Sequence, residues 1–133
     1  MRSSTIKALE LEDRLIQFGV KISEIAENLP TTKFGIHIAS QILRSGTAPA
    51  SNYGEAQSAE SRKDFIHKMR ICLKELRETQ VWLKFIVMKR YADGMEMQEL
   101  LNESQELVAI FVKSIETASK NLASGEKSTR RKL

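Results

Sequence analysis

Few side chains in this sequence can do covalent or metal chemistry. There are two histidines, His37 and His67, and one cysteine, Cys72. Asp64 stands three residues before His67, which puts both on one side of a helix, but the matching position before His37 is Phe34. A di-iron bundle needs two carboxylate-x-x-His pairs and two further carboxylates, so no metal site is expected. One cysteine excludes an intramolecular disulfide and any zinc site built on cysteines. Cys72 and His67 are five positions apart and point to different faces of a helix, so they do not form a nucleophile–base pair. The Gly46–Gly54 stretch lacks the Gly-Lys-Ser/Thr ending of a phosphate loop. No catalytic constellation emerges, and the chain reads as a non-enzyme without a cofactor.

Charge offers a different chemistry. Residues 61–91 carry nine basic and three acidic groups, whereas residues 92–123 carry two basic and six acidic groups. Lys63, Arg70, Lys74, Arg77 and Lys84 recur at spacings 7-4-3-7, with His67 in the missing turn. On a helix these positions make one ridge about five turns long, out of phase with the apolar stripe. Such a ridge either meets phosphates, releasing condensed counterions, or pairs with acidic side chains of a neighbouring helix or subunit, or is simply solvated. Glu96, Glu99, Glu103 and Glu106 supply an acidic row of the kind the second reading needs. No aromatic residues interleave with the basic row, so neither base stacking nor sequence-specific readout is expected.

A further stripe, Ile71, Glu75, Glu78, Trp82 and Phe85, lies beside the apolar face of the same helix. It adds more apolar surface than one bundle needs. The stripe reads either as the edge of a broad core face or as an oligomer interface, aromatic anchors flanking polar groups being typical of the latter. Glu75 and Glu78 then need cationic partners, because a half-desolvated carboxylate is costly alone.

These residues must be positioned by helices. Leu11, Leu15, Phe18, Ile22, Ile25 and Leu29 repeat at 4-3-4-3-4, which predicts a helix at about 5–28, ended by Pro30. A second begins near Lys33 with Phe34, Ile36, Ile38, Ala39, Ile42 and Leu43 as a wide apolar face and runs to about Ala59. Pro49 removes a backbone donor there and is expected to kink or break it. Ser61 caps a third helix that ends near Tyr91, with Phe65, Met69, Cys72, Leu76, Leu83 and Ile86 in its core stripe. The fourth runs from about Glu96 to Ala123 on Leu101, Val108, Phe111, Ile115, Ala118 and Leu122, and Ser124-Gly125 is expected to stop it. Four such helices with short links predict an all-α, antiparallel up-down-up-down four-helix bundle. The expected organisation is a bundle domain over 1–123 and a flexible basic tail over 124–133.

The composition agrees. The chain has 133 residues, 41% hydrophobic and 29% charged, with a formal net charge of +4, six Gly and two Pro. That balance suits one globular domain and excludes collagen-like, linker-like and turn-rich all-β chains. No apolar run approaches a membrane span, and the first residues lack the apolar core of a signal peptide, so a cytoplasmic protein with no membrane partner is expected.

From Phe34 to Ile86 the sequence resembles the bacterial four helix bundle protein family, also called 23S rRNA intervening-sequence proteins. The resemblance rests on QILRSGTAPASNYGEA and SRKDFIHKMRICLKELRETQVWLKFI. The matching positions are Arg44, Ser45, Pro49, Asn52, Glu55, Ala56, Ser61, Asp64, Phe65, Lys68, Glu75, Trp82 and Leu83. The resemblance implies a small bacterial bundle that assembles as a ring-like homo-oligomer, a pentamer being known in the family, and implies no enzymatic activity. More distantly, the chain is similar to the accessory variability determinant proteins of diversity-generating retroelements, basic pentamers that bind nucleic acid and a reverse transcriptase. Two functions follow as expectations. One is a nucleic-acid-binding accessory factor that contacts RNA or DNA backbone through the helix 3 ridge. The other is an oligomeric scaffold or protein-interaction module whose charge ridges serve self-assembly.

Overall fold

The structure, a computed structural model, describes the backbone of residues 4–132 and the side chains of residues 6–125. It contains four helices: α1 (Ser4–Glu27), α2 (Lys33–Gln57), α3 (Arg62–Met88) and α4 (Gly94–Lys132). Local chemistry sets their starts. The Thr32 hydroxyl accepts from the Gly35 amide at 3.0 Å, and the Ser61 hydroxyl accepts from the Asp64 amide at 3.0 Å. Each satisfies one of the amides that a first turn leaves without a partner. A side chain at Gly35 would place its Cβ 2.0 Å from the Pro30 carbonyl oxygen, so only glycine allows the α1–α2 link to turn so tightly. At the far end of α3 the chain reverses through Arg90, at φ 60°. The Tyr91 amide then donates to the Ile86 carbonyl and the Arg90 amide to the Val87 carbonyl, both at 3.0 Å, in a Schellman-type cap.

Sequential helices pack as antiparallel neighbours. Gly19 of α1 faces Gly46 and Thr47 of α2, while Glu12 approaches Gly54. Phe34 of α2 meets Phe85 of α3, and Pro49 meets Cys72. The α3–α4 packing includes Gln80 donating to Ser104 at 3.3 Å. Of the neighbouring pairs α1 and α4 approach least, and α1 with α3 and α2 with α4 form the two diagonals. The α1–α4 seam is a groove lined by Lys7, Leu11, Arg14, Tyr53, Ile110 and Ser114. This is the expected up-down-up-down bundle. Its centre is Leu15, Phe18, Ile22, Ile38, Ile42, Met69, Leu76, Leu83, Ile86, Leu107 and Phe111.

Four details depart from the sequence reading. α2 runs without a break through Pro49, which is buried. Its neighbours supply the reason: Ser45 and Thr79 share a buried 2.9 Å hydrogen bond, and Gly46 lies against Ile22, so packing on both flanks holds the helical path. Ile36 and Leu43, assigned to the apolar face of α2, are exposed. The first half of α4 buries Met97, Leu100, Ser104 and Leu107, one residue out of phase with the expected Leu101 and Val108. Ser104 hid that stripe; its hydroxyl donates to the Leu101 carbonyl at 2.7 Å while accepting from Gln80. Finally, α4 continues across Ser124 and Gly125, because a glycine in an exposed helix interior costs only about 1 kcal/mol and is not a stop by itself. Most of the tail expected over 124–133 lies outside the residues whose side chains are described.

Candidate nucleic-acid interface

Lys63, Arg70, Lys74, Arg77 and Lys84 are all exposed on the outer face of α3, and His67 is exposed with them. From first to last the row spans roughly 32 Å at the helical rise. Among the described residues none of the five makes an ion pair. The acidic row of α4 does not zip onto them. Glu103 and Glu106 instead hold Arg14 of α1: its Nη2 lies 2.5 Å from Glu103 and 2.9 Å from Glu106, and its Nε donates to Glu103 at 3.0 Å. The hydrogen bonds to Glu103 raise the Arg14 pKa further, against its partial desolvation. Among the described residues, the basic ridge is therefore left without ion pairs.

The second α3 stripe faces α2. Arg44 forks between Glu75, at 3.0 Å from Nη1, and Glu78, which it contacts through Nη2. The cation these carboxylates need thus comes from the same chain. Ile71, Glu75, Glu78 and Trp82 are partly buried, and of the five only Phe85 is exposed. The Trp82 indole donates to Glu78 at 3.3 Å. His37 meets the Trp82 ring edge-on, with centroids 5.8 Å apart at 86°. Trp82 and Phe85 lie 5.6 Å apart at 32°, and Phe85 meets Phe34 at 5.7 Å and 69°. Lys89 Nζ stands 5.4 Å from the Phe34 ring centre and 5.6 Å from that of Tyr91.

Sequence reasoning missed the α2 half of this arrangement. The signal was present: Phe34, His37, Gln41 and Arg44 repeat at 3-4-3, as Glu75, Glu78, Trp82 and Phe85 do on α3. Two antiparallel rows of equal period meet rung by rung.

The other chemical candidates do not assemble. Asp64 pairs with Lys68 at 3.2 Å. Cys72 is buried, its Sγ donating to the Pro49 carbonyl at 3.8 Å, and burial pushes its pKa up to about 12, which makes it a poor nucleophile. Among the described residues no group of three or more His, Cys, Asp or Glu is placed to hold a metal ion. No described helix is long and apolar enough to cross a membrane.

Fold and surface together define a four-helix-bundle protein with a free basic ridge. Residues 7–113 match the 23S rRNA-intervening sequence protein family, and the chain belongs to that family. A crystal structure of a protein of unknown function from the S23 ribosomal protein family of Bacteroides thetaiotaomicron is similar, with 33% identity and a TM-score of 0.75. The similarity covers 83% of this chain and 98% of that one. No functionally curated protein matches.

Proposed function

We propose that this protein is a non-enzymatic, oligomeric accessory factor that binds RNA or DNA backbone through Lys63, Arg70, Lys74, Arg77 and Lys84. The observation that carries this reading is the freedom of the ridge: five exposed cations on one helix face, none of them ion-paired among the described residues, with Glu103 and Glu106 of the acidic row held by Arg14. Phosphate contacts of this kind bind any sequence and weaken steeply with salt. The test replaces Arg70, Lys74 and Arg77 with Gln in the full chain and compares it with a chain in which Lys127, Arg130, Arg131 and Lys132 are replaced. The ridge variant should lower the salt slope of duplex binding by roughly 2–3 units. A slope that falls only in the tail variant overturns the ridge.

Self-association is supported by a separate surface. Leu9, Ile16 and Val20 of α1 and Ile36 and Leu43 of α2 are each 43–59% exposed and flank the α1–α2 contact. Exposed aliphatics grouped on one face are the kind of surface that contacts between copies cover. With α2 satisfying most of the Ile71–Phe85 stripe, this α1–α2 face is the better candidate for contact between copies. It leaves the ridge, on the diagonal helix, uncovered. Light scattering should show an oligomer, a ring-like pentamer being favoured by the family resemblance. Ile16→Lys with Leu43→Lys should reduce it to monomer.

A further inference from the structure

A cationic ridge alone does not discriminate between duplex and single strand. The surface at its C-terminal end does. Val81, Lys84, Phe85 and Met88 share one side of α3, and all four are exposed. Phe85 is 43% exposed and directly follows the last cation of the ridge. Exposed cations continue beyond it at Lys89 and Arg90. The carboxylates on its own row, Glu75 and Glu78, are engaged by Arg44, so they oppose an approaching phosphate less than free acids would.

We propose that Phe85, braced by Trp82, Phe34 and His37, is a stacking platform for an unpaired base, so that the ridge takes single-stranded RNA or DNA in preference to duplex. This rests on the ridge reading above and adds the class of nucleic acid.

Three features carry it. First, the ring is fixed before any ligand arrives. Trp82 lies against it at 32°, Phe34 meets it edge-on, and His37 in turn meets Trp82. A ring held in place loses little rotamer freedom on binding. Second, 43% of Phe85 stays open to solvent while the two rings that touch it, Trp82 and Phe34, are partly buried, so Phe85 is the member of the cluster a base can reach. Third, cations flank it along the chain on both sides, Lys84 before it and Lys89 and Arg90 after, so phosphates on either side of a stacked nucleotide have partners. Tracking the backbone with positive charge while stacking bases on aromatic rings is how single strands are held without sequence preference. Bases inside a duplex are already stacked and cannot use such a ring. No aromatics interleave with the basic row itself; these lie at its end, on the adjacent row, with half their support on α2.

Trp82 is the only tryptophan in the chain, which makes the platform report on itself. The full-length protein should be titrated with a 12-nucleotide oligo(U), a duplex of equal phosphate count, and inorganic polyphosphate. The oligo(U) is expected to change Trp82 emission and to bind more tightly than either other probe at equal salt. Phe85→Leu, which keeps an apolar contact for Phe34, should weaken oligo(U) by roughly 5- to 100-fold, the value of one base–aromatic stack, with the salt slope unchanged. Affinity for polyphosphate should not move. His37→Leu, which removes a brace without touching Phe85, should produce a smaller loss of the same kind. Equal affinity for all three probes, silent Trp82 emission and an indifferent Phe85→Leu would overturn the platform and leave the ridge standing. Failure of all three probes to bind overturns the ridge and the platform together. A Phe85→Leu chain with intact oligo(U) affinity but a changed oligomer size makes this surface a contact between copies and also overturns the platform.

Discussion

Cys72 carries the one thiol in the chain, and its surroundings disarm it. The thiol faces the Pro49 carbonyl inside the core, and burial holds its pKa at about 12. Above the ordinary thiol pKa of ~8.5 the unfolded chain releases this proton while the folded chain keeps it. The unfolded state then binds fewer protons, so stability must fall as pH rises from there toward 12. Comparing urea midpoints at pH 8 and pH 10.5 should show a larger loss in the wild-type chain than in Cys72→Ala. An alkylating reagent at pH 8.5 should label Cys72 only after denaturation. Position on the apolar stripe was enough to read this residue as a small buried hydrophobe. Arg44 was not readable in the same way. Its partners are set by where α2 lies against α3, and a charged residue on one helix does not announce which carboxylates on another it will meet.

The contact between α1 and α2 depends on the absence of a side chain. A Cβ at Gly46 would stand 2.6 Å from Cγ2 of Ile22. Gly46→Ala should therefore destabilise the protein by about 1–3 kcal/mol, the usual range for overpacking a filled core. In an Ile22→Ala background the same substitution should be milder, since Cγ2 and Cγ1 are gone and only the Cβ, at 3.0 Å, remains, and a double-mutant cycle would read the coupling. Helix number, order and approximate ends were legible because 4-3 periodicity, the stop at Pro30 and the cap at Ser61 all act locally. Continuity through Pro49 was not, because the packing that overrides the proline comes from Ile22 and Thr79, far away in sequence. The α4 register was misread for a related reason. Ser104 looks like a surface residue until Gln80 is placed beside it.

At the scale of the molecule, two surfaces lie on different sides. Exposed Leu9, Ile16, Val20, Ile36 and Leu43 lie along α1 and α2, and the five-cation ridge lies along the outer face of α3. That division lets copies join on one side while each keeps a cationic edge. An oligomer then offers several phosphate-binding ridges at once, and a long strand engaging two of them gains affinity through effective concentration alone. Binding should strengthen sharply once the nucleic acid is long enough to bridge neighbouring ridges. The monomeric Ile16→Lys, Leu43→Lys chain should lose that length dependence while keeping its affinity for a short strand. The charge asymmetry behind this was countable in the sequence. The free state of the ridge was not, because it depends on how α3 and α4 face each other and on Arg14, three helices from α4 in order, holding Glu103 and Glu106.

The seam between the first and last helices gives the bundle a side on which it opens. The two helices touch little, and the Arg14 fork to Glu103 and Glu106 is the ionic clasp across them. A clasp of partly exposed charges loosens with added salt, while the aliphatic packing of α2 on its neighbours does not. Amide exchange should therefore quicken first along α1 and the facing part of α4 as ionic strength rises, with the centres of α2 and α3 the last to exchange. The pair that carries the ridge and the ring is the pair that stays closed, so this protein should breathe on the side away from the proposed binding surface.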